Sequence, residues 1–251
     1  MPSRTFGLIG RSLKHSFSKG YFSQKFSNER IADCTYQLFE LSDIKQFGSL
    51  IKEVPLAGLN VTIPYKEEVM DYLNNLDVSA KKVGAVNVIK FENDGKLTGF
   101  NSDYYGFKTS LHHWLPDDRQ HDLNALILGT GGASKAVKVV LQDLGMPYKL
   151  ISRSAAENIV TYEELNQNPH WVSEARLIIN TTPLGMFPRI DQCPDLPYEV
   201  IDNRHFLYDL IYNPETTLFM QKGLSKGASV KNGLEMLHLQ AEKSWEIWND
   251  G

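Results

Sequence analysis

Residues 123–144 leave few folds open. Leu123 to Leu128 is a short apolar run that reads as a buried strand. Gly129-Thr130-Gly131-Gly132-Ala133-Ser134 follows at once, and Ala133 to Leu144 then repeats its apolar positions at helical spacing until Gly145 and Pro147 stop it. A strand that turns through glycines straight into a helix leaves the first helical N–H groups unpaired. The missing Cβ atoms let another group approach, and the helix end offers it partial positive charge. A pyrophosphate suits that place, so Gly129, Thr130, Gly131, Gly132 and Ala133 are candidate dinucleotide contacts. The third position of the G-x-G-x-x-G pattern is Ser134, so the bare pattern matches imperfectly and a tight turn without a ligand stays open as a reading.

The next strand bears on which dinucleotide fits. A unit that binds NAD places Asp or Glu about 20 residues on, to hold the ribose 2′-hydroxyl. Here the strand Lys149 to Ser152 runs into Arg153 and Ser154, with no acid. A guanidinium flanked by hydroxyls suits a 2′-phosphate, so Ser152, Arg153 and Ser154 favour NADP. A solvated Arg153 with no ligand is the plainer alternative.

The rest of the chain alternates short apolar runs with helical patterns, which predicts α/β architecture with largely parallel sheets. Strands are expected at Phe6 to Gly10, Tyr36 to Glu40, Gly58 to Thr62, Leu177 to Asn180 and Phe206 to Tyr212. Helices are expected at Ser18 to Ser27, Asp43 to Lys52 and Lys66 to Leu73, and Gly233 to Trp248 carries apolar residues on one helix face. Asn93-Asp94-Gly95 joins Val86–Glu92 to Lys96–Phe100 as a hairpin. The polar stretch Trp114 to Asp122 reads as a connection between units.

Composition narrows the partners. With 26 basic and 30 acidic residues the net charge is −4, which gives no electrostatic footprint for nucleic acid or an anionic membrane. No apolar run reaches the ~20 residues needed to span a bilayer. The N-terminal residues lead into a strand, so no signal peptide is expected. Cys34 and Cys193 lack metal-ligand spacing, so no metal is expected and the thiols read as those of a cytoplasmic protein.

Further segments now combine: His15-Ser16-Phe17-Ser18, Gly58-Leu59-Asn60-Val61-Thr62-Ile63-Pro64-Tyr65-Lys66, Gly84-Ala85-Val86-Asn87 and Gly99-Phe100-Asn101-Ser102-Asp103. Asn180-Thr181-Thr182-Pro183-Leu184-Gly185-Met186 and Gly233-Leu234-Glu235-Met236-Leu237, leading to Gln240-Ala241, complete the series. In this order and spacing the chain resembles the shikimate dehydrogenase family from end to end. The resemblance implies a two-domain protein, with an α/β substrate domain and a Rossmann-type doubly wound nucleotide-binding domain. Residues 1–104 with the C-terminal helix 234–251 would form the first and 105–233 the second, with the active site in the cleft between them. It places the crossover helix near Asp103 to Trp114 and implies reversible NADPH-dependent reduction of 3-dehydroshikimate to shikimate, on the route to chorismate and the aromatic amino acids, by a monomer or homodimer.

Residue by residue, Lys66 matches the family's catalytic lysine and Asp103 its paired carboxylate. A positioned ammonium polarises a carbonyl and stabilises the developing alkoxide. A free lysine titrates near ~10.4 and a carboxylate partner favours its charged form, so Lys66 is expected to act as a charged donor oriented by Asp103. Ser16 and Ser18 match the substrate-carboxylate pair, with Lys19 where the family usually has Pro. Thr62, Asn87 and Gln240 match residues that bind ring hydroxyls, and Tyr212 one near the carboxylate. Asn60 is expected to tie down its own loop. Thr181 and Thr182 are expected near the dinucleotide, and Leu210, Gly233 and Met236 around the nicotinamide. The family's NADP sites usually carry a second basic residue three positions after the arginine; here Ala156 stands there and Glu157 follows. Without the combined motif, Lys66 reads as a solvated helix-start residue, Asp103 as a helix cap and the serines as caps or turns. The competing functions are a quinate/shikimate dehydrogenase with broader substrate or NAD use, a folate-type two-domain NADP enzyme, and an NADP-binding sensor without catalysis.

Overall fold

The computed structural model describes residues 4–14, 16–116 and 123–250, which divide into two compact units, Met1–Ser102 with Gln240–Gly251 and Asp103–Leu239. In the first unit the strands are β1 (Arg4–Gly10), β2 (Cys34–Glu40), β3 (Leu56–Val61), β4 (Asn75–Leu76), β5 (Val88–Phe91) and β6 (Leu97–Phe100). Its helices are α1 (Phe17–Asn28), α2 (Phe47–Glu53) and α3 (Val78–Val83). The sheet runs β2-β1-β3-β5-β6-β4. β1 pairs parallel with β2 and β3, while β5 pairs antiparallel with β3 and β6. The hairpin turns at Gly95, whose φ of 82° suits a residue without Cβ.

Apolar residues line both faces of this sheet. Phe47, Leu59 and Ile89 are fully buried in one cluster; Phe6, Phe22 and Trp248 pack in another. Trp248 lies on the last helix, α9 (Leu234–Asn249), and is held by a hydrogen bond from its indole N–H to the Ile89 carbonyl at 3.1 Å. Its ring occupies the space beside Gly58, where an added Cβ would lie 2.4 Å from it. A side chain at position 58 would therefore displace the tryptophan.

The second unit contains α4 (Ser102–Trp114) beyond its first residue, β7 (Ala125–Leu128), α5 (Gly132–Asp143), β8 (Tyr148–Ser152), β9 (Ile159–Thr161), α6 (Tyr162–Gln167) and α7 (His170–Glu174). It continues through β10 (Leu177–Asn180), β11 (Phe206–Asp209), α8 (Leu218–Leu224), β12 (Ser229–Lys231) and α9 as far as Leu239. All pairings in its sheet are parallel, in the order β12-β11-β10-β7-β8-β9. Counted from β7 this is the doubly wound order 3-2-1-4-5-6, and the chain reverses direction across the sheet between β7 and β10. β7 and β10 are buried at every residue, as strands covered on both faces must be.

Two expected elements differ. Lys66 to Leu73 is a turn followed by a short 3-10 segment at Glu68–Tyr72, because the Lys66 carbonyl is taken by the Val86 N–H at 2.7 Å and is lost to an α-helical ladder. The strand expected to Tyr212 stops at Asp209, whose own carboxylate accepts the Ile211 N–H and turns the chain. The expected connection from Trp114 begins where α4 ends, and its residues 117–122 lie outside the described residues. Among the described residues no helix is long and apolar enough to cross a membrane.

Candidate active site

In the first unit the turn that carries Lys66 is tied at several points. Tyr65 is buried and donates its hydroxyl to the Leu41 carbonyl at 2.6 Å, and its N–H reaches Thr62. With the Val86 N–H on its own carbonyl, Lys66 is fixed at its backbone and left half-buried. Thr62 follows β3 and donates its N–H to Ile9.

Ser16 stands at the N-cap position of α1, yet its hydroxyl makes no capping bond. The oxygen is buried and has no hydrogen-bond partner among the described residues. A buried hydroxyl without a partner costs free energy, which a bound group would recover. Ser18 lies half-buried in the first turn of α1, near Tyr36, whose phenol is pushed up by burial. Tyr36 in turn donates to Asn60 Oδ1 at 2.8 Å.

The polar chain continues. Asn60 Nδ2 donates to the Asn87 carbonyl at 3.2 Å and to Ser244 Oγ at 3.0 Å, so it ties a strand to α9 and not, as expected, its own loop. Asn87 Nδ2 donates to Ser102 Oγ at 3.0 Å, and Asn87 Oδ1 accepts the Ser102 N–H at 2.7 Å. Ser102 Oγ also meets Gln240 Oε1 at 3.3 Å. Asn87 and Gln240 thus share one network, and the structure adds Tyr36, Ser102 and Ser244, which the sequence reading did not single out. Ser102 lay inside a quoted motif; Ser244 is visible only once α9 folds back. Asp103 sits in the first turn of α4, half-buried, and is not the cap, since the helix already begins at Ser102.

In the second unit the turn after β7 and the chain after β10 come together. Gly129 has φ 101°, and an added Cβ would lie 2.9 Å from both Thr181 Oγ1 and Thr182 Cγ2. A groove of about 470 Å³ is lined there by Gly129, Thr130, Gly131, Ser152, Arg153, Thr181 and Thr182 among the expected residues, joined by Tyr162, Pro183, Leu184 and Arg189. Gly132, Ala133 and Ser154 do not line it. At Gly131 and Gly132 an added Cβ meets nothing within 4 Å, so a side chain there would project into open space at the start of α5. Gly131 supplies no capping side chain, and Ser134 Oγ turns back to the Gly131 carbonyl at 2.6 Å. The groove is lined by two guanidiniums and no carboxylate. This donor set fits an anionic dinucleotide.

Leu210 and Gly233 meet elsewhere in this unit. An added Cβ on Gly233 would lie 2.1 Å from the Leu210 carbonyl oxygen, and the Gly233 N–H donates to Ile211 at 3.0 Å. Met236 is buried one turn on, and Tyr212 is half-buried. The segment between β11 and α8 is held by Asp209, which accepts from Asn180 Nδ2, the Ile211 N–H and Thr217 Oγ1. Among the described residues no group of three or more His, Cys, Asp or Glu is placed to hold a metal ion.

A doubly wound sheet whose strand reversal opens onto a glycine turn and a basic groove defines a Rossmann-type dinucleotide-binding protein. Residues 8–89 match the family model described as the shikimate dehydrogenase substrate binding domain. The chain is 41% identical to the NADP(+) shikimate dehydrogenase of Clostridium beijerinckii, over 98% of this chain and 92% of that protein. The structure of shikimate dehydrogenase from Aquifex aeolicus superposes with a TM-score of 0.86 at 31% identity, covering 99% of this chain and 93% of that one. That of the Thermus thermophilus shikimate 5-dehydrogenase, in complex with NADP(H) and shikimate, gives 0.83 at 27% identity, covering 98% and 93%. The chain belongs to the shikimate dehydrogenase family.

Proposed function

We propose that this protein catalyses the reversible NADPH-dependent reduction of 3-dehydroshikimate to shikimate in the cytoplasm. The observation that carries the reading is the buried, unpartnered Ser16 hydroxyl, in the unit that holds the Tyr36–Asn60–Asn87–Ser102–Gln240 network and matches a substrate-binding family model. A small acid bearing several hydroxyls needs neutral donors and acceptors held in fixed directions, and that network supplies them. Ser16 and Ser18 bind the carboxylate, with Tyr212 near it; Thr62, Asn87 and Gln240 bind ring hydroxyls.

Bound NADPH supplies the hydride. Lys66 donates a hydrogen bond to the carbonyl oxygen and stabilises the alkoxide that forms, which takes up the proton of that bond as solvent restores the ammonium. Asp103 orients the ammonium and binds the hydroxyl beside it, so the carbonyl carbon is held for attack from one side. Gly129, Thr130 and Gly131 with the α5 N-terminus receive the pyrophosphate, Ser152 and Arg153 the 2′-phosphate, and Leu210, Gly233 and Met236 flank the nicotinamide. The favourable chemistry of each contact follows from charge and open backbone N–H groups.

The reading is tested by following NADPH or NADH absorbance with shikimate or quinate and either oxidised nucleotide. Shikimate with NADP should exceed every other pair by about tenfold or more. Quinate turnover equal to that on shikimate would favour the broader quinate/shikimate enzyme instead, and nucleotide binding without turnover of either acid would favour a sensor.

A further inference from the structure

Resting on that cofactor reading, we propose that Arg189 supplies the second cationic contact to the 2′-phosphate of NADP, opposite Arg153. The loop after β8 offers the phosphate only one cation: Arg153 is followed by Ser154, Ala155, Ala156 and Glu157. The groove nonetheless presents two guanidiniums, because the segment after β10 returns to it at Arg189. That segment is shaped to do so. Gly185 turns with φ 100°, and the Arg189 N–H closes a turn onto the Met186 carbonyl at 2.9 Å.

Tyr162 is a second, independent indication of a ligand here. It starts α6 directly after β9, and Thr161 of that strand pairs in register with Ser152. Its hydroxyl is buried without a partner among the described residues, and it also lines the groove. Burial pushes its phenol up to about 12, the nearby Arg153 charge pulls the other way and the Asp195 carboxylate adds to the rise, so the neutral O–H remains a donor beside that guanidinium. Two guanidiniums and a phenol, with no carboxylate lining the groove, can surround a dianionic phosphate; a ribose 2′-hydroxyl would give neither guanidinium a counter-charge in the groove. Arg153 and Arg189 come from separate segments, so each can approach a different face of the phosphate.

The test is binding of NADP and NAD to the whole chain, by titration calorimetry, for wild type, Arg189→Met, Arg153→Met and Tyr162→Phe. Adenosine 2′,5′-bisphosphate and 5′-AMP serve as fragments. Arg189 is exposed, so its replacement should leave the thermal midpoint unchanged. We expect Arg189→Met to weaken NADP and the bisphosphate by about 10- to 100-fold and to change NAD and 5′-AMP by less than about twofold. Arg189→Lys should restore part of the loss. Equal weakening of both nucleotides would place Arg189 on the pyrophosphate and overturn the proposal, as would no change in either. If wild type itself bound NAD as tightly as NADP, the cofactor reading would fall and this inference with it; a wild-type preference kept in Arg189→Met but lost in Arg153→Met would sink the inference alone.

Discussion

Replacing Asp209 by Asn should change the pH dependence of stability in a direction that the structure fixes. Asp209 ends β11, is fully buried, and accepts from Thr217 Oγ1 at 2.6 Å, the Ile211 N–H at 3.0 Å and Asn180 Nδ2 at 3.0 Å. Burial outweighs these three bonds and raises its carboxyl from 3.8 to about 6. Because the folded chain keeps this proton where the unfolded chain has released it, stability falls as pH rises between those two values. The full loss, once both states are ionised, is roughly 3 kcal/mol. An asparagine keeps the shape: its Oδ1 can accept from Ile211 and Asn180, and its amide can donate to the Thr217 hydroxyl. Urea unfolding at constant ionic strength should therefore show the variant gaining about 2 to 3 kcal/mol on wild type between pH 4 and pH 7.5. Stability curves that stay parallel across that range would refute the reasoning, and a variant that loses ground as pH rises would reverse it.

Other outcomes follow from single contacts. Ser16→Ala should raise KM for shikimate about tenfold while leaving stability unchanged or up to about 1 kcal/mol higher, since an unpartnered buried oxygen is removed; steady-state kinetics and thermal melts check both. Gly131→Val should fold normally, because its Cβ meets nothing within 4 Å, yet lose about 10-fold or more in NADP binding if the pyrophosphate lies there. Gly233→Ala must push the Leu210 carbonyl away from a 2.1 Å approach, which should cost about 1 to 3 kcal/mol in urea unfolding.

What the sequence revealed was whatever local pattern encodes. The strand–glycine–helix run at 123–144 was legible because three adjacent segments each had to fit, and the strand order around β7 agrees with it. The hairpin at Asn93–Gly95 was legible for the same reason, since the turn needs a residue tolerant of positive φ. The turn at Lys66 looks helical in the sequence because what stops it, the Val86 N–H on its carbonyl, comes from the distant connection between α3 and β5. Asn60 was misassigned likewise: its partners on α9 and the Tyr36 strand are far away in sequence. Arg189 is not legible in the sequence because it follows Pro188 in an exposed segment with no periodicity, and only the return of that segment to the glycine turn brings its charge to the groove.

The account depends most on Lys66 and Asp103 acting together on one substrate, and a double-mutant cycle on the rate of shikimate oxidation measures that. Each of Lys66→Met and Asp103→Asn should reduce kcat/KM by about 10²- to 10⁴-fold, and the double variant should be little worse than the poorer single. Losses that multiply, or a Lys66→Met enzyme that keeps its turnover, would contradict it.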